Sequence, residues 1–247
     1  MEKTTLYQAV EFAIVIFTAE CLERRRPGHS VDRRRDLPLN LLALSVVIFA
    51  GEAWKSVLLK GFGLNGLAGS VQALPAAVLP GPVKIVIGAI LADFALYWVH
   101  RLMHVNRLAW RTHVFHHTID NLWWLSGSRT SVTHLFLFAV PQVLIVYVLL
   151  QLSPVEAGIA FGLGIVVNVW IHTNITVDIG PLKWLFITPD YHRVHHGTGG
   201  LSRKNLAFIL TVWDRMFGTY ADPEKVGEFR LGFAPLRRNL VRMIIGF

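Results

Sequence analysis

The stretch DFALYWVHRLMH, residues 93–104, decides how this chain is read. It closes an apolar run that begins at Val83 and ends in two histidines one helical turn apart. Residues i and i+4 share a helix face, so His100 and His104 project together from the end of a membrane-length helix. Asp93 and Tyr97 fall on the same stripe. A carboxylate inside an apolar span is a functional candidate. Two roles are open for Asp93: a hydrogen bond to the second nitrogen of a facing histidine ligand, or pairing with a basic residue.

Working outward, four more apolar runs are long enough to matter. Leu6–Leu22 is interrupted by Glu11 and Glu20; Leu37–Leu59 is cleaner. Leu135–Leu152 carries Pro141, a candidate kink, and Val155–Ile171 carries Gly158, Gly162 and Gly164, which suit close helix packing. Residues 71–82 are apolar but broken by Pro75, Pro80 and Pro82, and read as an interfacial or re-entrant segment. The composition agrees with a membrane chain: 53% of the 247 residues are hydrophobic and 16% charged, against about 25% charged in soluble domains. One domain, 1–247, with its core at about 40–220, accounts for the whole pattern.

The net charge of +8 is unevenly placed, with six arginines between Arg24 and Arg35 and others at Arg237, Arg238 and Arg242. No nucleic-acid module accompanies them, so the basic residues mark the cytoplasmic face of a membrane and anionic headgroups. Placing the arginine loop in the cytoplasm brings His100–His117 to the same side after spans two and three. It brings His172 and the residues after it there after spans four and five. The single cysteine, Cys21, excludes an intramolecular disulfide and any C-x-x-C site. The start, MEKTTLYQ, lacks the basic opening and cleavage site of a secretory signal, so the first apolar run is expected to remain as an anchor.

Of the 11 histidines, all but His29 lie between His100 and His196. They form an H-x-x-x-H pair, His100/His104, and two H-x-x-H-H groups, His113/His116/His117 and His192/His195/His196. Helical spacing puts each group on one face. Imidazole is a favoured ligand of iron, copper, zinc and nickel. These eight nitrogens, with His172 at the end of the fifth run as a ninth, are enough for two metals. Neutral imidazoles packed so densely would otherwise strand donors and acceptors. His29 stands apart in the arginine loop and reads as a solvated residue.

These motifs, with LAWRTHVFHH (108–117), TPDYHRVHHG (188–197) and NLAFILTVWDRMFGTY (205–220), resemble the fatty acid hydroxylase superfamily, which includes the sterol desaturases. The resemblance covers roughly residues 40–220. It implies an all-α fold: an integral-membrane bundle of four to five transmembrane helices under a cytosolic, histidine-rich helical cap. It also implies two iron ions that use dioxygen and two external electrons to hydroxylate or desaturate a lipid. The ligands it carries over are His100, His104, His113, His116, His117, His192, His195 and His196. The segment NVWIHTNI adds His172, with Asn168 one turn before it as an outer partner. Arg193 and Asp214 also match its motifs; they brace the cap or form ordinary surface ion pairs.

The chain departs from the family in SRTSVTH, residues 128–134. Arg129 fits the pattern, but His134 stands where an acid or amide is often found. It is either a tenth ligand or a substrate-facing residue. Trp123 and Trp124 in NLWWLSGS line the substrate cavity or form part of an interfacial aromatic belt. No iron–sulfur, cytochrome or Rossmann motif occurs, so electrons are expected from a separate reductase, cytochrome or ferredoxin. Two other classes compete. A membrane haem protein would reveal itself by an intense Soret band. A non-catalytic zinc- or lipid-binding relative would keep metal without consuming oxygen. Zinc is also a substitute for iron in the site itself. The membrane is a bacterial inner membrane or an endoplasmic reticulum.

Overall fold

A computed structural model describes residues 3–61, 79–233 and 239–247. Most of the expected 71–82 segment, and Arg237 and Arg238, lie outside them. Among the described residues the fold is helical, and the only β pairing is two isolated bridges, Phe186 with Leu210 and Gly197 with Leu231.

Five long helices form the bundle: α1 (Lys3–Arg25), α2 (Arg33–Ser56), α3 (Gly81–Val105), α5 (Val132–Val143) and α6 (Pro154–His172), with α4 (Arg107–His113) between the third and the fifth. Both α2 and α5 run on as wider π turns, at Val57–Gly61 and Leu144–Leu149. Pro141 sits inside α5 just before its π turn, where its missing N–H leaves the helical ladder one bond short.

Four segments are long and apolar enough to cross a membrane: Arg33–Gly61, Gly81–Val105, Val132–Leu149 and Pro154–His172. The fold is thus an all-α membrane bundle. The outward faces agree, with Phe49 77% exposed and Val86 and Ile159 also uncovered. Helix α1 is not one of the four; its last turns point Glu20 and Glu23 at Arg33, at 3.0 and 2.6 Å. Gly162 is buried as close packing requires, but Gly164 faces open space and contributes no contact.

Local chemistry sets each boundary. Ser153 and Glu156 make a reciprocal capping box at the start of α6. Asn106 accepts from Leu108 N and Ala109 N, ending α3 and starting α4 in one residue. Ser131 caps α5 through His134 N. At 25 residues, α3 is about 37 Å long. That exceeds the roughly 30 Å hydrocarbon core, so the helix is long enough to span it with some tilt or with a turn to spare. The ends of α3 and α6 and the starts of α2 and α5 gather at one end of the bundle. The cap there comprises α7 (Pro189–His195), α8 (Val212–Met216) and their loops, while α9 (Leu240–Ile245) packs against α4 and α5. Tyr97, Ile171, Ile187, Tyr191, Leu206 and Ala207 form the buried seam between bundle and cap.

Candidate metal centre

Nine histidines meet beneath the cap in two groups, within each of which one ring nitrogen per residue lies within 4.8 Å of all the others. The first group is His100, His104, His113, His117 and His195; the second is His116, His172, His192 and His196. All nine are buried. Each H-x-x-H-H motif is therefore divided. Its i and i+4 members serve one group and its i+3 member the other. Successive helical side chains diverge by about 100°, so neighbours such as His116 and His117 can face two centres. The backbone assists, because α4 ends at His113 and a tight 3-10 turn carries His116–Thr118.

The outer nitrogens reveal the protonation pattern. Nδ1 of His100 lies 2.6 Å from Leu206 O, and that of His195 2.9 Å from Lys204 O. Nδ1 of His116 lies 3.1 Å from Arg129 O, and that of His172 2.7 Å from Asn168 O. A carbonyl only accepts, so these four Nδ1 atoms carry the hydrogen and, in neutral rings, each Nε2 holds a lone pair. Yet Nε2 of His172 and Nε2 of His116 face each other at 3.3 Å. Two lone pairs at that distance, buried, are repulsive unless a cation lies between them. Protonation is no escape for His116: burial holds its imidazole well below the ordinary range, as it does His113, His117, His192, His195 and His196. Nε2 of His195, buried and without a hydrogen bond, is a further free donor atom. The donor set, all imidazole nitrogen, fits a borderline transition metal in each group.

The structure places three of the singled-out sites outside the two histidine groups. Asp93 touches no histidine. Its carboxylate accepts from the N–H groups of Phe208, Ile209 and Leu210 and from the indole of Trp213, all at 2.9–3.0 Å. With four donors filling its lone pairs, it needs neither a histidine nor a cation. It staples the loop that follows Leu206. His134 joins neither group; its Nδ1 lies 3.0 Å from Nδ1 of His113, on the side away from the centre. Trp124 donates its indole N–H to Glu20 at 2.7 Å, and Trp123 lies under Arg33. The tryptophans pin the cap to the start of the chain.

Asp214 braces the same loop from the other side, taking Leu206 N, Ala207 N, the Tyr191 hydroxyl and the Thr219 hydroxyl. Asn168 meets His172 through its backbone carbonyl. Arg193 reaches Asn174 at 2.9 Å, and burial lowers its guanidinium to about 10. His29 is exposed, as read.

Two residues escaped the sequence reading. A Cβ at Gly127 would sit 2.6 Å from Nδ1 of His172, so only glycine lets that ring in. Asn205, at φ 55, adopts the left-handed conformation, and its amide donates to Tyr191 O and Ala221 O. That turn presents Lys204 O and Leu206 O to two histidines. The only signals were a glycine between serines, and an asparagine between a charged and an apolar run.

Residues 85–219 match the Fatty acid hydroxylase family. The chain is 36% identical over 133 residues to an alkylglycerol monooxygenase of Danio rerio, covering 52% of this chain and 28% of that protein. It is 31% identical to the ornithine lipid hydroxylase OlsE of Rhizobium tropici, over 62% of this chain and 46% of that one. To the sphingolipid C4-hydroxylase SUR2 of Saccharomyces cerevisiae it is 27% identical, over 56% and 40%. The chain thus matches less than half the length of each of these relatives. No solved structure matches it significantly.

Proposed function

Because this chain belongs to the fatty acid hydroxylase family, we propose that it is a membrane di-iron oxygenase that hydroxylates, or desaturates, a C–H bond in the hydrocarbon chain of a polar lipid. The observation that carries the reading is the Nε2–Nε2 contact of His116 and His172, whose outer nitrogens are both committed to carbonyls. His100, His104, His113, His117 and His195 would hold one iron, and His116, His172, His192 and His196 the other. The ions, when bound, supply the redox capacity to activate dioxygen, which no side chain here possesses.

The chain's own residues do the rest. Leu206 O, Lys204 O, Arg129 O and Asn168 O fix ring orientation and keep Nε2 unprotonated. Asp93 and Asp214 hold the loop that carries two of those carbonyls. Burial excludes water from the centre. The substrate enters from the bilayer between the spans, its reactive carbon beneath the cap. The relatives named above act on alkylglycerols, an ornithine lipid and a sphingolipid, by their names. A polar lipid with at least one long hydrocarbon chain is therefore the substrate class to test. The histidine end faces the cytoplasm, where the arginine loop also lies.

The test is incubation of iron-loaded protein, an electron source and oxygen with ether lipids, ornithine lipids and sphingoid bases. Mass spectrometry is expected to find one added oxygen atom, or a loss of two hydrogens if the enzyme desaturates. No oxygen-dependent product from any lipid, in protein holding both irons, would refute the proposal.

A further inference from the structure

Trp110 touches the five-histidine group from outside. Its ring centre lies 5.2 Å from those of His104 and His117 and 6.2 Å from that of His113. On its other side Phe233 approaches edge-on at 5.3 Å. Phe233 is 46% exposed and is fixed in place by its N–H, which donates to His117 O at 2.7 Å. An unbroken aromatic line therefore runs from solvent through Phe233 and Trp110 to a buried histidine group. No tryptophan or phenylalanine lies against the four-histidine group among the described ring contacts.

The surface around this line is basic. Arg107 and Arg111 lie on the same short helix, at i−3 and i+1 from Trp110. They are one turn apart and share a face that flanks its ring. Both are exposed, and neither has a carboxylate partner among the described residues. In the arginine loop, Arg24 and Arg33 pair with Glu20, and Arg35 with Asp36 and Asp120, whereas Arg25, Arg26 and Arg34 are exposed and without an ion pair among the described residues. What distinguishes Arg107 and Arg111 is the aromatic ring between them that reaches the histidines.

We propose that the α4 face bearing Arg107, Trp110 and Arg111, with Phe233 beside it, is the docking surface for an acidic one-electron carrier protein, with Trp110 as the route inward. The inference rests on the oxygenase reading, which requires two electrons from outside. Each encounter would oxidise the carrier by one electron and deliver that electron through the metal that the five histidines would hold. The first electron would pass on to the metal of the four-histidine group, so that two encounters would reduce each metal by one. Electron transfer weakens steeply with distance, so a carrier gains most by docking where an aromatic ring already touches the centre. Transient redox complexes use small interfaces, and complementary charge at the rim sets their rate of encounter.

The test uses the full chain, iron-loaded in detergent, with a reduced plant-type ferredoxin as the acidic probe. Wild-type protein is expected to bind it with an affinity that falls as salt rises. The double charge reversal R107E/R111E should weaken binding more than tenfold and remove most of that salt dependence. Trp110→Leu should bind as tightly as wild type, but oxidise the bound ferredoxin more than tenfold more slowly in stopped flow; Trp110→Phe should restore most of the rate. All variants should be reduced normally by dithionite, a small anion that needs no docking surface.

Ferredoxin binding that ignores R107E/R111E would overturn the proposal, as would a wild-type transfer rate in Trp110→Leu. So would finding that R107E/R111E weakens only adhesion to anionic lipid vesicles, which would assign the arginines to headgroups. Iron-loaded wild-type protein that dithionite itself cannot reduce would instead bring down the oxygenase reading on which the proposal stands.

Discussion

In the five-histidine group, the outer nitrogens of His100 and His195 rest on Leu206 O and Lys204 O, two carbonyls of one loop. In the four-histidine group, those of His172 and His116 rest on Asn168 O, one turn back in its own helix, and on Arg129 O. A helix supplies its i−4 carbonyl without help. A loop must be held, and here two buried carboxylates hold it, Asp93 on Phe208–Leu210 and Asp214 on Leu206 and Ala207. The four-histidine group depends instead on space, since Gly127 lets His172 in, and on the buried Arg129. That guanidinium lies 3.1 Å from Asp36 and 2.6 Å from Asn40 Oδ1, which ties His116 to α2. The two centres should therefore fail separately.

The largest expected effect comes from removing a ligand, and it should be unequal. His192→Ala leaves three imidazoles in its group and is expected to lose that metal and all turnover. His117→Ala leaves four in the other group and should keep its metal, with impaired turnover. Metal per chain in the two variants checks this; equal loss would erase the distinction between the groups. Next, Gly127→Ala drives a methyl into His172 and should weaken metal affinity of the four-histidine group by about 100-fold, sparing the other. Titration with ferrous iron reads this directly.

Asp214→Asn should act on the opposite centre. An amide cannot accept all four of the hydrogen bonds that Asp214 takes, so two loop carbonyls lose their support. A loss of about tenfold in metal affinity of the five-histidine group and about 3 kcal/mol in stability is expected. Thermal unfolding in detergent and the same iron titration test both figures.

The smallest effect is that of pH on the metal-free protein. Burial lowers His113, His116, His117, His192, His195 and His196 in the folded state from an ordinary value of 6.5. Below that value the unfolded chain binds more protons than the folded one. Their contribution to stability is thus intact above pH 6.5 and lost progressively as pH falls beneath it. The melting temperature of metal-free protein should drop across that range, and bound metal should blunt the drop. A flat profile would mean that the imidazoles are not buried neutral.

Much of this was legible in the sequence, for definable reasons. Apolar length gave the spans of α2, α3, α5 and α6, because a bilayer demands length and hydrophobicity that survive any packing detail. The histidine motifs gave eight of the nine residues that meet, because helical spacing is a local property, and His172 followed from its place at the end of the fifth apolar run. Their division between two centres depends on α4 ending at His113, a tertiary outcome that spacing cannot reveal. Asp93 illustrates a second limit. Its place on the His100 stripe was right, yet its partners lie in a loop more than a hundred residues away, and backbone amides leave no mark in a sequence. Gly127 and Asn205 show a third: one provides room and the other a left-handed turn, and neither carries chemistry of its own.

The central claim is that two metals sit between the two sets of facing imidazoles. Elemental analysis of protein purified in detergent from iron-supplemented cells, with an optical spectrum alongside, tests it most directly. About two irons per chain without a Soret band is the predicted result. A haem spectrum, or folded protein with no metal at all, would contradict it.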